Sequence, residues 1–182
     1  MTADLFRIRR GVPRDAEQLA EFAARTFSDT FAAANRPEDI AAYLPSAYSV
    51  SHQASELNNP DIITLIMESN DGQWSAYAML RRSVAPECVS GDHPIEIWRF
   101  YVDRPWHGFG LAQRLMTAVE ETAREETART LWLGVWERND RAIAFYAKCG
   151  FSDVGAQHFW VGSDKQTDRI MVRHLQQLQQ AR

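Results

Sequence analysis

A chain of 182 residues, 45% of them hydrophobic and six of them tryptophan, can bury the core of one domain without metals or disulfides. Its formal charge of −4 argues against a nucleic-acid partner gripped by a broad basic surface. Cys88 and Cys149 share no metal or redox spacing, and no run of about 18 apolar residues could span a bilayer; two free thiols in the cytoplasm, with no membrane partner and no metal, are expected.

The opening MTADLFRIRRG lacks the apolar stretch of a signal peptide, and its alternation over 5–9 predicts a short strand. Pro13 then starts a helix with Asp15 and Glu17 in the first turn, whose buried stripe is Leu19, Phe22, Ala23 and Phe27. Residues 35–59 predict one or two further helices, begun at Asn35-Arg36-Pro37-Glu38, interrupted at Pro45 and ended by Asn58-Asn59-Pro60. Apolar runs at 62–67 and 74–80 flank Asn70-Asp71-Gly72 and read as a hairpin. A loop over 83–93 leads to a strand at 94–102 and a helix from about 109 to 127 that buries Leu111, Leu115, Ala118, Val119 and Thr122. A strand at 131–136 and a helix over 139–149, closed by Gly150, come next. A hairpin of 159–162 and 169–175 turns across Ser163-Asp164-Lys165-Gln166, and QQLQQAR is expected to fray. The order predicts one mixed α/β domain over 1–182.

The stretch 106-WHGFGLAQRL-115 ends a strand and opens a helix. Its glycines permit positive φ, and the helix start offers unpaired N–H groups at the positive end of a dipole, a ready site for phosphate oxygens. A nucleotide P-loop fails because no Lys-Ser or Lys-Thr follows, and a dinucleotide fingerprint lacks its third glycine, since position 113 is Gln113. Further on, 131-LWLGVWERNDRAIAFYAKCGF-151 places Asn139 as a helix cap and Ala142, Phe145 and Tyr146 on one face.

These two stretches resemble the GNAT superfamily of N-acetyltransferases. His107, Gly108, Phe109, Gly110, Leu111 and Ala112 resemble its pyrophosphate turn, with His107 where the family carries Arg or Gln; Asn139, Ala142, Phe145, Tyr146, Gly150 and Phe151 match its second motif throughout. The resemblance, with the first motif over about 94–127 and the second over 131–151, implies an open, splayed mixed sheet of about seven strands with helices on both faces. It also implies acetyl-CoA as co-substrate, with Phe100, Tyr101 and Val102 pairing with the pantetheine and the 107–112 turn holding the pyrophosphate. Lys148 either reaches a coenzyme phosphate or is simply solvated.

The reaction so implied is direct acetyl transfer to an amine, which needs a group to accept its proton and another to protonate the departing thiolate. Tyr146 is the candidate acid. Glu96 is the candidate base: period two would put Glu96, Trp98, Phe100 and Val102 on one face, where a carboxylate is costly unless used or paired with Arg81, Arg82 or Arg99. The stretches 26–44, 133–151 and 158–173 further resemble the bacterial spermidine/spermine N-acetyltransferases. That likeness implies a small-molecule amine acceptor, a possible homodimer, and Phe27, Asp29, Phe31, Tyr43 and Trp98 as acceptor-binding residues, with Glu38, Asp39 and Asp92 as further acids. Trp98 departs from the acidic residue common there. Protein N-terminal acetylation and a catalytically silent acyl-CoA-binding module are the alternatives.

Overall fold

The computed structural model describes residues 5–161 and 164–176. Seven strands form one sheet in the order β1-β2-β3-β4-β5-β7-β6: β1 Phe6–Arg10, β2 Ile62–Ser69, β3 Trp74–Arg81, β4 Pro94–Val102, β5 Thr130–Trp136, β6 Ser152–Val161 and β7 Asp164–His174. All neighbours are antiparallel except β4 and β5, which pair in parallel only from Pro94↔Thr130 to Glu96↔Trp132. Beyond that point β4 follows β3 as far as Val102, while β5 follows β7 as far as Trp136. The sheet is therefore splayed down its middle.

Helices α1 Ala16–Phe31, α2 Pro37–Tyr48 and α3 Val50–Asn58 cover one face; α4 Leu111–Glu125 and α5 Asp140–Lys148 cover the other. The alternation along β2 serves both layers. Ile63, Leu65 and Met67 belong to one buried cluster with Leu115 and Val119 of α4, whereas Ile66 belongs to another with Leu19 and Phe22 of α1. Each such buried side chain contributes roughly 1.5–3 kcal/mol.

The structure differs from the sequence expectation at three places. Helix α2 runs through Pro45 and breaks at Ser49, whose hydroxyl caps α3 by accepting from the His52 amide. Pro45 and Ala41 both lie on the exposed side, so the carbonyl that Pro45 cannot satisfy faces water. The last hairpin is longer than expected: Asp164, Lys165 and Gln166 belong to β7 and pair with Val161, Trp160 and Phe159, while Ser163 and most of QQLQQAR lie outside the described residues. The mostly exposed, polar start of β6 and a register shift between Asp153 and Gly155 hid that strand from an apolar pattern.

The third difference matters most. Leu80 pairs with Ile97 but Met79 pairs with Arg99, so Trp98 is an extra residue, a bulge in β4. Ile95 and Ile97 face α4; past the bulge Phe100 and Val102 face it instead, while Trp98 and Tyr101 pack on the α1 side. Glu96 and Trp98 thus do not share a face with Phe100 and Val102, because the extra residue inverts the parity of everything after it.

Next to the bulge, Arg99 and Glu56 form a buried pair that ties α3 to β4. Arg99 Nη1 lies 2.5 Å from Glu56 Oε2 and Nη2 lies 3.0 Å from Oε1, with the guanidinium 4.9 Å from the Tyr48 ring. Removing one partner strands the other charge in the interior. Glu56→Ala is expected to cost about 3–5 kcal/mol in urea unfolding, and the double change Glu56→Leu with Arg99→Met clearly less.

Candidate active site

The divergence of β4 and β5 opens a cleft of about 670 Å³ that passes from one face of the sheet to the other. On the α4 side its wall is the glycine turn. Gly108 and Gly110 have φ of +85° and +78°, and a Cβ on either would meet nothing within 4 Å. Glycine is needed here for the left-handed backbone and not for space. The first bond of α4 runs from the Arg114 amide to Gly110 O, so the amides of Leu111, Ala112 and Gln113 precede it at the positive end of the helix.

His107 is locked in one tautomer. Its Nε2 lies 2.8 Å from Val102 O, which can only accept, so Nε2–H donates; Nδ1 then accepts from Arg141 Nη1 at 2.7 Å. A guanidinium is thereby held beside the turn whose own position 107 lacks a long cationic side chain. Arg141 was not singled out from the sequence, although it stands two residues after Asn139, on the same helix start. Asn139 Oδ1 accepts from the Ala142 amide at 3.1 Å, the cap expected of it.

Helix α5 presents Phe145 and Tyr146 to β4, with ring centroids 5.6 Å and 6.1 Å from Phe100. Burial pushes the Tyr146 hydroxyl well above its ordinary pKa, with Cys149 adding to the effect, so it stays protonated and can donate. The cleft gathers most of the predicted coenzyme residues: Phe100, Tyr101, Val102, His107, Gly108, Gly110, Leu111, Ala112, Asn139, Ala142, Phe145 and Tyr146. Two stand apart from its lining. Phe109 is 55% exposed and leans on Trp106, and Lys148 is exposed on the outer side of α5.

On the α1 side the cleft is an aromatic chamber. Phe27 stacks on Tyr43 at 4.8 Å, Phe31 lies 5.7 Å from Trp136, and Tyr43 lies 5.9 Å from Phe159. The Trp98 indole is clasped between Arg81 at 4.0 Å and Arg99 at 4.2 Å. Of the acceptor residues expected, Phe27, Phe31, Tyr43 and Trp98 line the chamber but Asp29 does not. On a helix, Phe27 and Phe31 are a turn apart on one face, and the residue midway between them points to solvent. Glu38 and Asp92 are exposed away from the cleft, and Asp39 is buried against Arg36.

Two carboxylates do face the chamber. Glu96 Oε2 accepts from Arg81 Nε at 2.9 Å and from Ser83 Oγ at 2.7 Å, the paired state in which Arg81 is the partner; Arg82 turns instead to Glu126. Asp168 of β7 was missed, because that part of the hairpin read as the end of a turn. It stands across from Trp136 and Gln157, and a methyl on Gly134 would lie 3.1 Å from its Oδ2 and 3.0 Å from Gln157 Nε2. Burial, with the Glu137 carboxylate nearby, raises its pKa to about 6. Among the described residues no Lys, Arg or His pairs with it, no group of side chains is arranged to hold a metal, and no helix is long and apolar enough to cross a membrane. No sequence pattern marked Asp168, because the positions in step with it along β7 include Gln166 and His174 as well as Ile170 and Val172.

With this geometry in view, the chain matches the model of the acetyltransferase (GNAT) family over residues 17–151. It is 37% identical over 161 residues to an uncharacterised N-acetyltransferase of Mycobacterium tuberculosis, covering 88% of this chain and 98% of that one. It is 25% identical over 108 residues to the probable spermine N(1)-acetyltransferase of Bacillus subtilis subsp. natto, covering 58% of this chain and 66% of the relative. The fold is shared with the PaiA N-acetyltransferase of Thermoplasma acidophilum solved with coenzyme A, at a TM-score of 0.75 and 21% identity over 93% of this chain and 99% of that one. The chain belongs to the GNAT acetyltransferase family. It is an acetyl-CoA-dependent N-acetyltransferase with the family's splayed seven-stranded sheet.

Asp168 makes a pH-dependent contribution to stability. Its carboxyl holds its proton more tightly folded than unfolded, so its charge is destabilising above pH about 6, and that cost is gone below pH about 4. Asp168→Asn is therefore expected to raise stability near pH 7.5 by on the order of 1–3 kcal/mol, with the gain vanishing below pH about 4, read as urea midpoints across pH.

Proposed function

We propose that acetyl-CoA lies along the open edge of β4, with its pyrophosphate on the turn before α4, and that a small primary amine enters from the aromatic chamber on the opposite face. One observation carries this reading: past Glu96, β4 has no strand on its β5 side, and this bare edge leads straight to the unpaired amides of a helix start. Backbone groups of Phe100 to Val102 on such an edge can pair with amide groups of an extended ligand as an added strand would. The amides of Gly108 to Ala112, with Arg141 as the nearby cation, then meet the phosphates.

Tyr146, buried and protonated beside Phe100, is the donor to the departing thiolate. The amine must lose a proton as it attacks, and Glu96 and Asp168 are the carboxylates at hand. Aromatic faces and a carboxylate suit an ammonium group, so a small primary amine is the acceptor class to test, with polyamines in the panel because of the likeness to a probable spermine N(1)-acetyltransferase. The test is thiol release over polyamines, aminoglycosides, amino acids and peptides with free N-termini. Release with an amine supports the reading; stabilisation by acetyl-CoA without release by any amine overturns it.

Two substitutions examine the coenzyme half. Tyr146→Phe is expected to lower kcat about 100-fold while the KM for acetyl-CoA changes little, as loss of a general acid should. Gly110→Ala forces a side chain into the left-handed region at a cost of roughly 1–2 kcal/mol. Its KM for acetyl-CoA should rise about tenfold, and an unchanged value would mean that the turn does not hold the coenzyme.

A further inference from the structure

Three arginines face the cleft, Arg81, Arg99 and Arg141, and each already has a partner: Glu96, Glu56 and His107 in turn. The chamber's cations, Arg81 and Arg99, are thus paired with carboxylates, while Arg141 keeps its charge beside the glycine turn; among the described residues Asp168 is the carboxylate of the chamber left without a cation. Keeping an unpaired carboxylate here is built into three strands. Gly134 of β5 leaves the space that the Asp168 carboxylate and the Gln157 amide occupy; Trp136 stands across from Asp168 in the register, and Phe31 and Tyr43 line the same chamber. A half-buried carboxylate without a cation is costly unless a ligand supplies one.

We propose that Asp168 is the residue that binds the acceptor's ammonium group and takes the proton the amine loses on acetylation, and that Glu96 is a wall residue anchored to Arg81. The assignment rests on the amine-acetyltransferase reading above and sharpens it. Among the described residues, one unpaired carboxylate set among aromatic rings fits an acceptor that presents one ammonium group on an apolar or aromatic carbon frame. A long polycation would find no second unpaired carboxylate among them for its further charges.

The bound ammonium first gives one proton to the Asp168 carboxylate, which passes it to solvent and is ionised again. The nitrogen of the resulting amine then forms a bond to the thioester carbonyl carbon and the carbon–sulfur bond breaks; the nitrogen's second proton passes to the Asp168 carboxylate, directly or through one water, and the thiolate takes the Tyr146 proton. Asp168 then gives its proton to solvent and Tyr146 regains one, so the net change is ammonium plus thioester to amide plus thiol plus one proton. A carboxyl that titrates at about 6 is mostly ionised near neutral pH, and its basicity is greater than that of a fully solvated aspartate. The titratable groups facing it are Tyr43 from α2 and Glu137 beyond β5, with Arg99 of β4 and Glu56 of α3 behind Tyr43; Gln157 from β6 is uncharged.

The experiment measures kcat/KM against pH, with the best amine of the panel, for the unaltered protein, Asp168→Asn and Glu96→Gln. The unaltered protein should lose activity as pH falls through about 6. Asp168→Asn should fall at least about 100-fold near pH 7.5 and lose that acidic limb. Its acetyl-CoA affinity, measured by calorimetry, should stay the same, and its melting temperature should not drop. Glu96→Gln should keep the limb. Asp168→Asn within about threefold of the unaltered protein, an acidic limb that survives in it, or a limb that vanishes in Glu96→Gln overturns the assignment while leaving the transferase reading intact. A preference for linear polyamines over monoamines with apolar frames overturns the acceptor class. Absence of thiol release by the unaltered protein with every amine removes the transferase reading and this assignment together.

Discussion

The rest of the molecule follows from how briefly β4 and β5 run together. Parallel neighbours need a crossover, which α4 supplies on one face, and these two strands hold register only from Pro94↔Thr130 to Glu96↔Trp132. Each then follows its other neighbour, β3 or β7. A backbone edge left without a strand has donors and acceptors that must be met by water or a ligand, and here the edge faces a cleft. The start of α4 falls at the same opening, so unpaired amides of two kinds converge on one site.

The bulge at Trp98 is the second device. By inverting the parity of β4, it sends Phe100 and Val102 toward α5 and its Tyr146, and Tyr101 and Arg99 toward the α1 layer. One strand thus lines the cleft toward α5 on one face and the aromatic chamber on the other. The chamber wall is rich in cations, but Glu96 and Glu56 neutralise them and Trp98 spreads between the two guanidiniums. That wall is rigid and electrically quiet, and the charge left over belongs to Asp168 across the chamber.

Much of the site was legible because it is local. The glycine turn, the Asn139 cap and the face shared by Ala142, Phe145 and Tyr146 are relations within one turn of chain, and the structure keeps them. Other parts failed for physical reasons. Asp29 was placed in the chamber by its nearness in sequence to Phe27 and Phe31, although helical geometry turns it outward. Glu96 was set beside Phe100 by counting in twos, which a bulge defeats. Asp168 and Arg141 acquire meaning only from Gly134, Gln157 and His107, residues on other elements.

By itself the sequence determined the order of elements, the two amphipathic layers and the family to which the chain belongs, because hydrophobic period, glycine at positive φ and helix capping act over a few residues. Tertiary structure alone decided where β4 leaves β5, which side chains the bulge sends to each face, and which carboxylate remains without a cation. Those outcomes depend on strand register and on ion pairs such as Arg99–Glu56, whose partners lie 43 residues apart in the chain. No local pattern in the sequence encodes them.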